Sequence, residues 1–155
     1  MAKKKILKST QTKLAKAAAA LKSFSSGIVS GSTIILSDLY IVTDSGDNVT
    51  FTLTFNNIGS AASTDVFLDN QLSQGKLKDS VTSFPLGANT AVSGKFLKLF
   101  STVAVTSLTP LPDKLKAEFS ISGGAAPKSF PLPDFTFNAA GDKASLDISI
   151  FFLHV

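Results

Sequence analysis

Residues 49–55 constrain the fold of this chain more than any other stretch. Val49, Phe51, Leu53 and Phe55 alternate one by one with Thr50, Thr52 and Thr54. Successive side chains of a strand point to opposite faces, so this pattern predicts a half-buried β-strand with an apolar inner face and a hydroxyl-lined outer one. Leu115, Ala117, Phe119 and Ile121 repeat the scheme against Lys114, Lys116, Glu118 and Ser120. Val103 and Val105 alternate with Thr102, Ala104 and Thr106, and Phe135 and Phe137 flank Thr136. Val66 and Leu68 alternate with Asp65, Phe67 and Asp69.

Turn-forming clusters separate these runs at residues 44–48, 56–59, 87–89, 123–124 and 140–142. Pro110, Pro112, Pro127, Pro131 and Pro133 fall between strands, where a missing N–H costs nothing. About nine short strands result, at the ~8–12-residue intervals of sandwiches and barrels. No helical pattern follows residue 25, which excludes alternating β-α architecture. The expected fold is all-β, an immunoglobulin-like or jelly-roll β-sandwich over residues 30–155. The 13 Phe would fill the core, since the chain has neither Trp nor Cys.

Two stretches break the alternation. Ile34, Ile35 and Leu36, then Leu39, Tyr40, Ile41 and Val42, are apolar on both faces, with Ser37 and Asp38 expected as a bulge between them. The last strand begins as Leu146, Ile148 and Ile150 against Ser145, Asp147 and Ser149, then ends in Phe151, Phe152, Leu153, His154 and Val155. Two explanations compete: a central strand covered on both sides, or a subunit interface. The interface expectation names Ile34, Ile35, Phe151, Phe152, Leu153 and Val155.

Residues 1–29 have a different grammar. Lys3, Lys4, Lys5, Lys8, Lys13, Lys16 and Lys22 stand there without one acid, while the remainder sets eight Lys against eleven acids, a net of −3. Leu7, Leu14 and Leu21 recur every seven residues, with Phe24 beside the stripe, so residues 4–24 read as a basic amphipathic helix. Its apolar stripe is thin, and such a helix orders on contact with something else. Its longest apolar run is too short for a secretory signal, and the chain is expected to start at or near Met1. No stretch approaches the ~20 apolar residues of a membrane-spanning helix. The seven Lys could face nucleic-acid phosphates, although Arg, the usual bidentate phosphate ligand, is absent. They could lie on a membrane surface, or on a neighbouring subunit together with Leu7, Leu14, Leu21 and Phe24.

The chemical inventory is thin. Without Cys there is no thiol nucleophile or disulfide framework, and His154 is the single His. Asp44, Asp47 and Asn48 offer oxygens to calcium but lack the spacing and terminal Glu of a helix-loop-helix calcium loop, and a hairpin turn accounts for them more simply. Asp65 and Asp69 are read as two acids on one strand face, without a facing element to make a cleft. Asn48, Val49 and Thr50 form a glycosylation sequon, which matters only in a eukaryotic secretory path. No phosphate loop, nucleophile elbow or dinucleotide fingerprint occurs. The expectation is a non-enzyme that needs no cofactor.

From Asp47 to Leu72 the chain reads as an alternating Thr-rich strand, an Asn57-x-Gly59 turn, a small-residue stretch at Ala62, and a strand through Val66 to Asp69 and Leu72. Phe84, Pro85, Leu86, Gly87, Ala88, Asn89 and Thr90 follow as a stretch that looks like a Leu-x-x-Gly-x-x turn. This resembles the conserved-repeat and CARDB-like immunoglobulin-type domains of bacterial and archaeal surface proteins, over about residues 47–105. The resemblance implies an adhesive or architectural module without catalytic residues. The expectation departs from that family's pattern, which has a signal peptide, tandem copies and a wall anchor that these residues do not show.

Together these readings point to a structural subunit that assembles with copies of itself into a filament, appendage or surface layer on a cell, a spore or a virion. The arm would contact a neighbour, with strand addition as one route. A capsid or capsid-decoration jelly roll with a nucleic-acid-facing Lys arm is the alternative. A glycan- or lipid-binding module is the third reading.

Overall fold

A computed structural model describes residues 27–56, 60–105, 113–139 and 141–155. The helix expected over residues 4–24, with its Lys and Leu stripes, lies outside them. Alternating stretches become strand except at Asp69, which lies in a turn, and at Lys116, which divides the run from Leu115 to Ile121 into two strands; Thr106 lies outside the described residues. In chain order the elements are β1 Ile28–Ser30, β2 Thr33–Val42, β3 Asn48–Phe55, β4 Ser60–Leu68, β5 Gln71–Lys78 and β6 Val81–Ala88. The one-turn helix α1 Asn89–Val92 follows, then β7 Phe96–Val105, β8 Asp113–Leu115, β9 Ala117–Ser122, β10 Lys128–Phe130, β11 Phe135–Phe137 and β12 Lys143–His154.

The molecule is mostly β. One sheet has six strands in the order β1-β2-β12-β7-β4-β5, a second has four in the order β10-β9-β3-β6, and β8 and β11 form a short ribbon. All pairs are antiparallel except β2 with β12, which run parallel from Thr33 opposite Ser145 to Val42 opposite His154. Ile34, Leu36, Leu97, Leu99, Ile148 and Phe152 of the large sheet share one hydrophobic cluster with Val49, Phe51, Leu53, Phe119 and Ile121 of the smaller one. Phe fills the core only in part. Phe51, Phe119, Phe130, Phe137 and Phe152 are buried in it, with Phe51 to Phe84 at 5.2 Å and Phe119 to Phe130 at 5.2 Å between centroids. Phe67, Phe96, Phe100 and Phe151 lie on the other side of the large sheet. Thr64 and Ser101 are buried opposite each other in that core, and their hydroxyls satisfy one another at 2.7 Å.

The expected bulge at Ser37 and Asp38 is absent, because the register of β2 against β12 runs without a shift. Alternation instead holds through the whole strand: Ile34, Leu36, Tyr40 and Val42 are buried, while Ile35, Leu39 and Ile41 face away. Asp38 interrupts the inner series where Lys128 arrives, its Nζ 3.2 Å from the carboxylate and 3.0 Å from the Leu39 carbonyl. More strands exist than expected, since β5 and β10 carry no clean apolar alternation. The sheet also begins earlier than residue 30, with Ile28 paired to Ile35.

Buried backbone polar groups at one end of the molecule converge on Asn89, which is fully buried. Its Oδ1 accepts the Thr43 N–H at 3.0 Å, and its Nδ2 donates to the carbonyls of Asp47 at 2.9 Å and Gly123 at 2.8 Å. Beside it the β9–β10 loop presses on β2. The Gly124 N–H donates to the Tyr40 hydroxyl at 3.0 Å and the Ala125 N–H to the Ile41 carbonyl at 3.0 Å. A Cβ at Gly124 would collide with the Tyr40 ring and the Ile41 carbonyl, so only glycine fits there.

Candidate functional site

The outer face of the six-stranded sheet is the candidate site. Among the described residues the exposed large hydrophobics are Ile28, Val29, Ile41, Leu72, Phe100 and Val155. Five lie on strands of that sheet and Val155 follows its β12; none belongs to the four-stranded sheet. Strand register shows how they gather. Leu72 pairs with Phe67 and Asp65 with Phe100, so Phe67, Phe100 and Leu72 share one surface. Phe67 meets Phe100 edge-to-face at 6.4 Å. Lys98 lies 4.7 Å above the Phe100 ring and 3.9 Å from the Asp147 carboxylate. Beyond this charged pair stands a second cluster, where Phe96 and Leu153 pack around Phe151.

Of the residues expected at an interface, Ile34 and Phe152 are fully buried in the core. They cannot touch a partner while the domain is folded, which corrects that expectation. Phe151 is only 2% exposed, covered by its own neighbours. Ile35 and Leu153 are half-buried on the outer face, and Val155 is 77% exposed. Leu7, Leu14, Leu21, Phe24 and the seven Lys lie outside the described residues. Of the two explanations of the last strand, the structure shows that β12 is central, between β2 and β7, with its outer side on the apolar face.

The sheet edges offer little for strand addition. β1 and β10 have three residues each, and β10 sits between Pro127 and Pro131. β6 contains Pro85 and shifts register twice against β3. β5 is bulged against β4, with Lys76 at φ +55° and its N–H donated to the Asp65 carboxylate at 2.8 Å. The stretch of β2 beyond β1 is covered by Ala125 and Lys128. Short, bulged, Pro- and Lys-bearing strands are how sheets avoid pairing with other chains.

The remaining candidates separate in space. Asp69 leaves its strand for a two-residue hairpin turn with Asn70, both at positive φ, so it does not share a face with Asp65 as expected. Asp44 binds the ring of His154 through Oδ1 at 2.8 Å, while the Asp47 carbonyl and N–H serve Asn89 and Ser45. No three His, Cys, Asp or Glu side chains cluster among the described residues. Asp142 closes the turn before β12: its Oδ2 accepts the N–H groups of Asn138 at 2.9 Å and Ala139 at 3.0 Å. The Ala139 bond first and the Asn138 bond second hold this carboxyl below the ordinary Asp value. Outside the four-stranded sheet, Lys116, Glu118, Ser120, Ser129 and Asp134 line an open groove of about 620 Å³. Phe119 and Phe130 beneath it are buried, and Pro131 and Leu132 add apolar surface to its hydroxyls and charges.

No family model, curated protein or solved structure matches the chain. Phe100 and Leu72 were missed as surface residues by sequence reasoning, which set Phe67 on the outer side with Asp65 but did not name it as part of an apolar face. The available signal was phase: Phe100 falls between the inward Leu99 and Ser101, and Phe67 stands in the outward phase with Asp65. Leu72 had no such signal, because β5 shows no alternation.

Proposed function

We propose that this chain is a non-enzymatic structural subunit that assembles with copies of itself, built on an immunoglobulin-like sandwich. Successive strands cross between the two large sheets, β2 to β3, β3 to β4, β5 to β6 and β6 to β7. This supports Greek-key connectivity of the immunoglobulin kind. The parallel β2–β12 pair counts against a jelly roll, whose sheets are antiparallel. The likeness to CARDB-like domains accords with this reading, since its Thr-rich segment forms β3.

One observation carries the functional reading: the exposed large hydrophobics gather on one sheet, chiefly its outer face, while the sheet edges are blunted. Association then proceeds through a face and not by added strands. Nothing in the groove beside Glu118 favours a glycan or lipid ligand over this. Light scattering across a concentration series tests the reading. A mass that rises with concentration supports it, and a monomer at every concentration overturns it.

A further inference from the structure

We infer that Asp38 and the β9–β10 loop form a clasp over the edge of β2, and that the partner this clasp keeps out is β2 of a second copy. The inference concerns a strand edge and stands independently of contact through the outer face.

Hydrogen-bond direction shows where the edge lies. The Ser32 carbonyl accepts the Ser145 N–H at the start of β12 at 2.8 Å. Alternate residues from Thr33 to Ile41 therefore turn their N–H and C=O groups away from β12. β1 is three residues long and takes this side only as far as Ile35, which lies opposite Ile28. Ser37, Leu39 and Ile41 follow, with no strand paired to them on that side among the described residues.

Such an edge is adhesive. β2 holds neither Gly nor Pro, and Asp38 is its only charged residue. Apolar, β-branched segments of this kind pair with copies of themselves. A two-fold axis at Leu39 would set Ser37 of each copy opposite Ile41 of the other, with the outward backbone groups exchanged between them.

Three contacts fill the places that strand would take. Asp38 Oδ1 accepts the Leu39 N–H at 2.7 Å. Lys128 Nζ donates to the Leu39 carbonyl at 3.0 Å and stands 3.2 Å from the Asp38 carboxylate. The Ala125 N–H takes the Ile41 carbonyl at 3.0 Å. The clasp is itself held down: the Gly124 N–H donates to the Tyr40 hydroxyl at 3.0 Å, and Lys128 Nζ lies 4.7 Å from the Phe130 ring centroid. Both ion-pair side chains are partly exposed, so the pair contributes little to stability. Its consequence is exclusion, since a charge set into an edge strand and a loop laid over it are ways a sheet refuses added strands. An incoming β2 must displace all three bonds before it gains its own.

The test reads the backbone amides of β2 in the full chain. Asp38→Ser with Lys128→Ser frees both backbone groups of Leu39, and Gly124→Ala lifts the loop from Ile41 by its collision with Tyr40. Lys98→Ser/Asp147→Ser, which removes an ion pair of the same kind from the outer face, is the control. Hydrogen exchange at Ser37, Leu39 and Ile41 is measured across a concentration series, relative to amides of β3. The inference predicts about ten-fold slower relative exchange at high than at low concentration in the triple variant, as β2 pairs with β2. Wild type and control keep one relative rate throughout. A triple variant whose relative rates ignore concentration overturns the inference. If it loses its cooperative unfolding transition, Asp38→Ser/Lys128→Ser is read in the same way and decides. Concentration-dependent protection of these amides in the wild type also overturns the inference, because the edge would then stand open. Contact through the outer face raises the mass in light scattering without protecting these amides, so the same samples separate the two readings.

Discussion

Phe151 rests on Phe96 with ring centroids 4.8 Å apart, on the side of the six-stranded sheet that faces away from the core. Its sequence neighbour Phe152 points the opposite way and meets Tyr40 edge-to-face at 6.3 Å inside the core. Two adjacent phenylalanines thus serve two surfaces, one for folding and one beside the proposed contact. The distinction is measurable. Phe152→Ala should cost about 3–5 kcal/mol of stability, the usual loss for a buried aromatic. Phe100→Ser, at a ring 43% exposed, should cost less, about 1–2 kcal/mol, for the lost edge-to-face contact with Phe67 and the Lys98 ammonium over the ring. Urea denaturation monitored by circular dichroism checks both.

Asn89 joins the β2–β3 and β9–β10 loops through three hydrogen bonds from a fully buried side chain. Asn89→Ala strands the Thr43 N–H and removes a donor from two carbonyls. A loss of about 3 kcal/mol is expected, dominated by the unsatisfied buried groups. A loss near zero in thermal or chemical unfolding would show that the loops find other partners.

Tyr40 and Gly124 offer a graded pair. Tyr40→Phe removes only the acceptor of the Gly124 N–H and should cost about 1 kcal/mol. Gly124→Ala drives a methyl into the Tyr40 ring and the Ile41 carbonyl, and should cost more. If unfolding experiments reverse the order, the loop does not dock on β2 as described.

Asp142 should titrate below the ordinary Asp range, because two backbone N–H groups donate to its ionised carboxylate. A folded-state pKa lower than the unfolded value of about 3.9 stabilises the fold above that pH. The contribution is lost as pH falls through the lowered value. Side-chain NMR of the carboxyl should give a midpoint below that of free Asp, and Asp142→Ala should flatten the acid limb of the stability curve.

Strand identity was legible wherever one face is wet, as in β3 and β9, because burial on one side alone writes a period of two into the sequence. It was obscured at β2 and β12, where apolar residues occupy both sides for two different reasons. Phe152 and Ile34 fill the core, whereas Ile35 and Leu153 belong to the outer face. β5 was illegible because an exposed, bulged edge strand needs no apolar series. The candidate face was half legible: Phe67 and Phe100 are out of phase with a simple two-sided strand, but only register places Leu72 beside them. Asp38 looked like a break in β2, and the reason for it, Lys128, is 90 residues away in the chain.

The central claim is that copies of this chain meet through the outer face of the six-stranded sheet. Light scattering on the full chain and on a Leu72→Lys/Phe100→Lys variant, at matched high concentrations, tests it most directly. The wild-type mass should climb above the 16.2 kDa of one chain, while the variant stays at that mass and still unfolds in a single cooperative transition. A variant that assembles as fully as the wild type would contradict the claim.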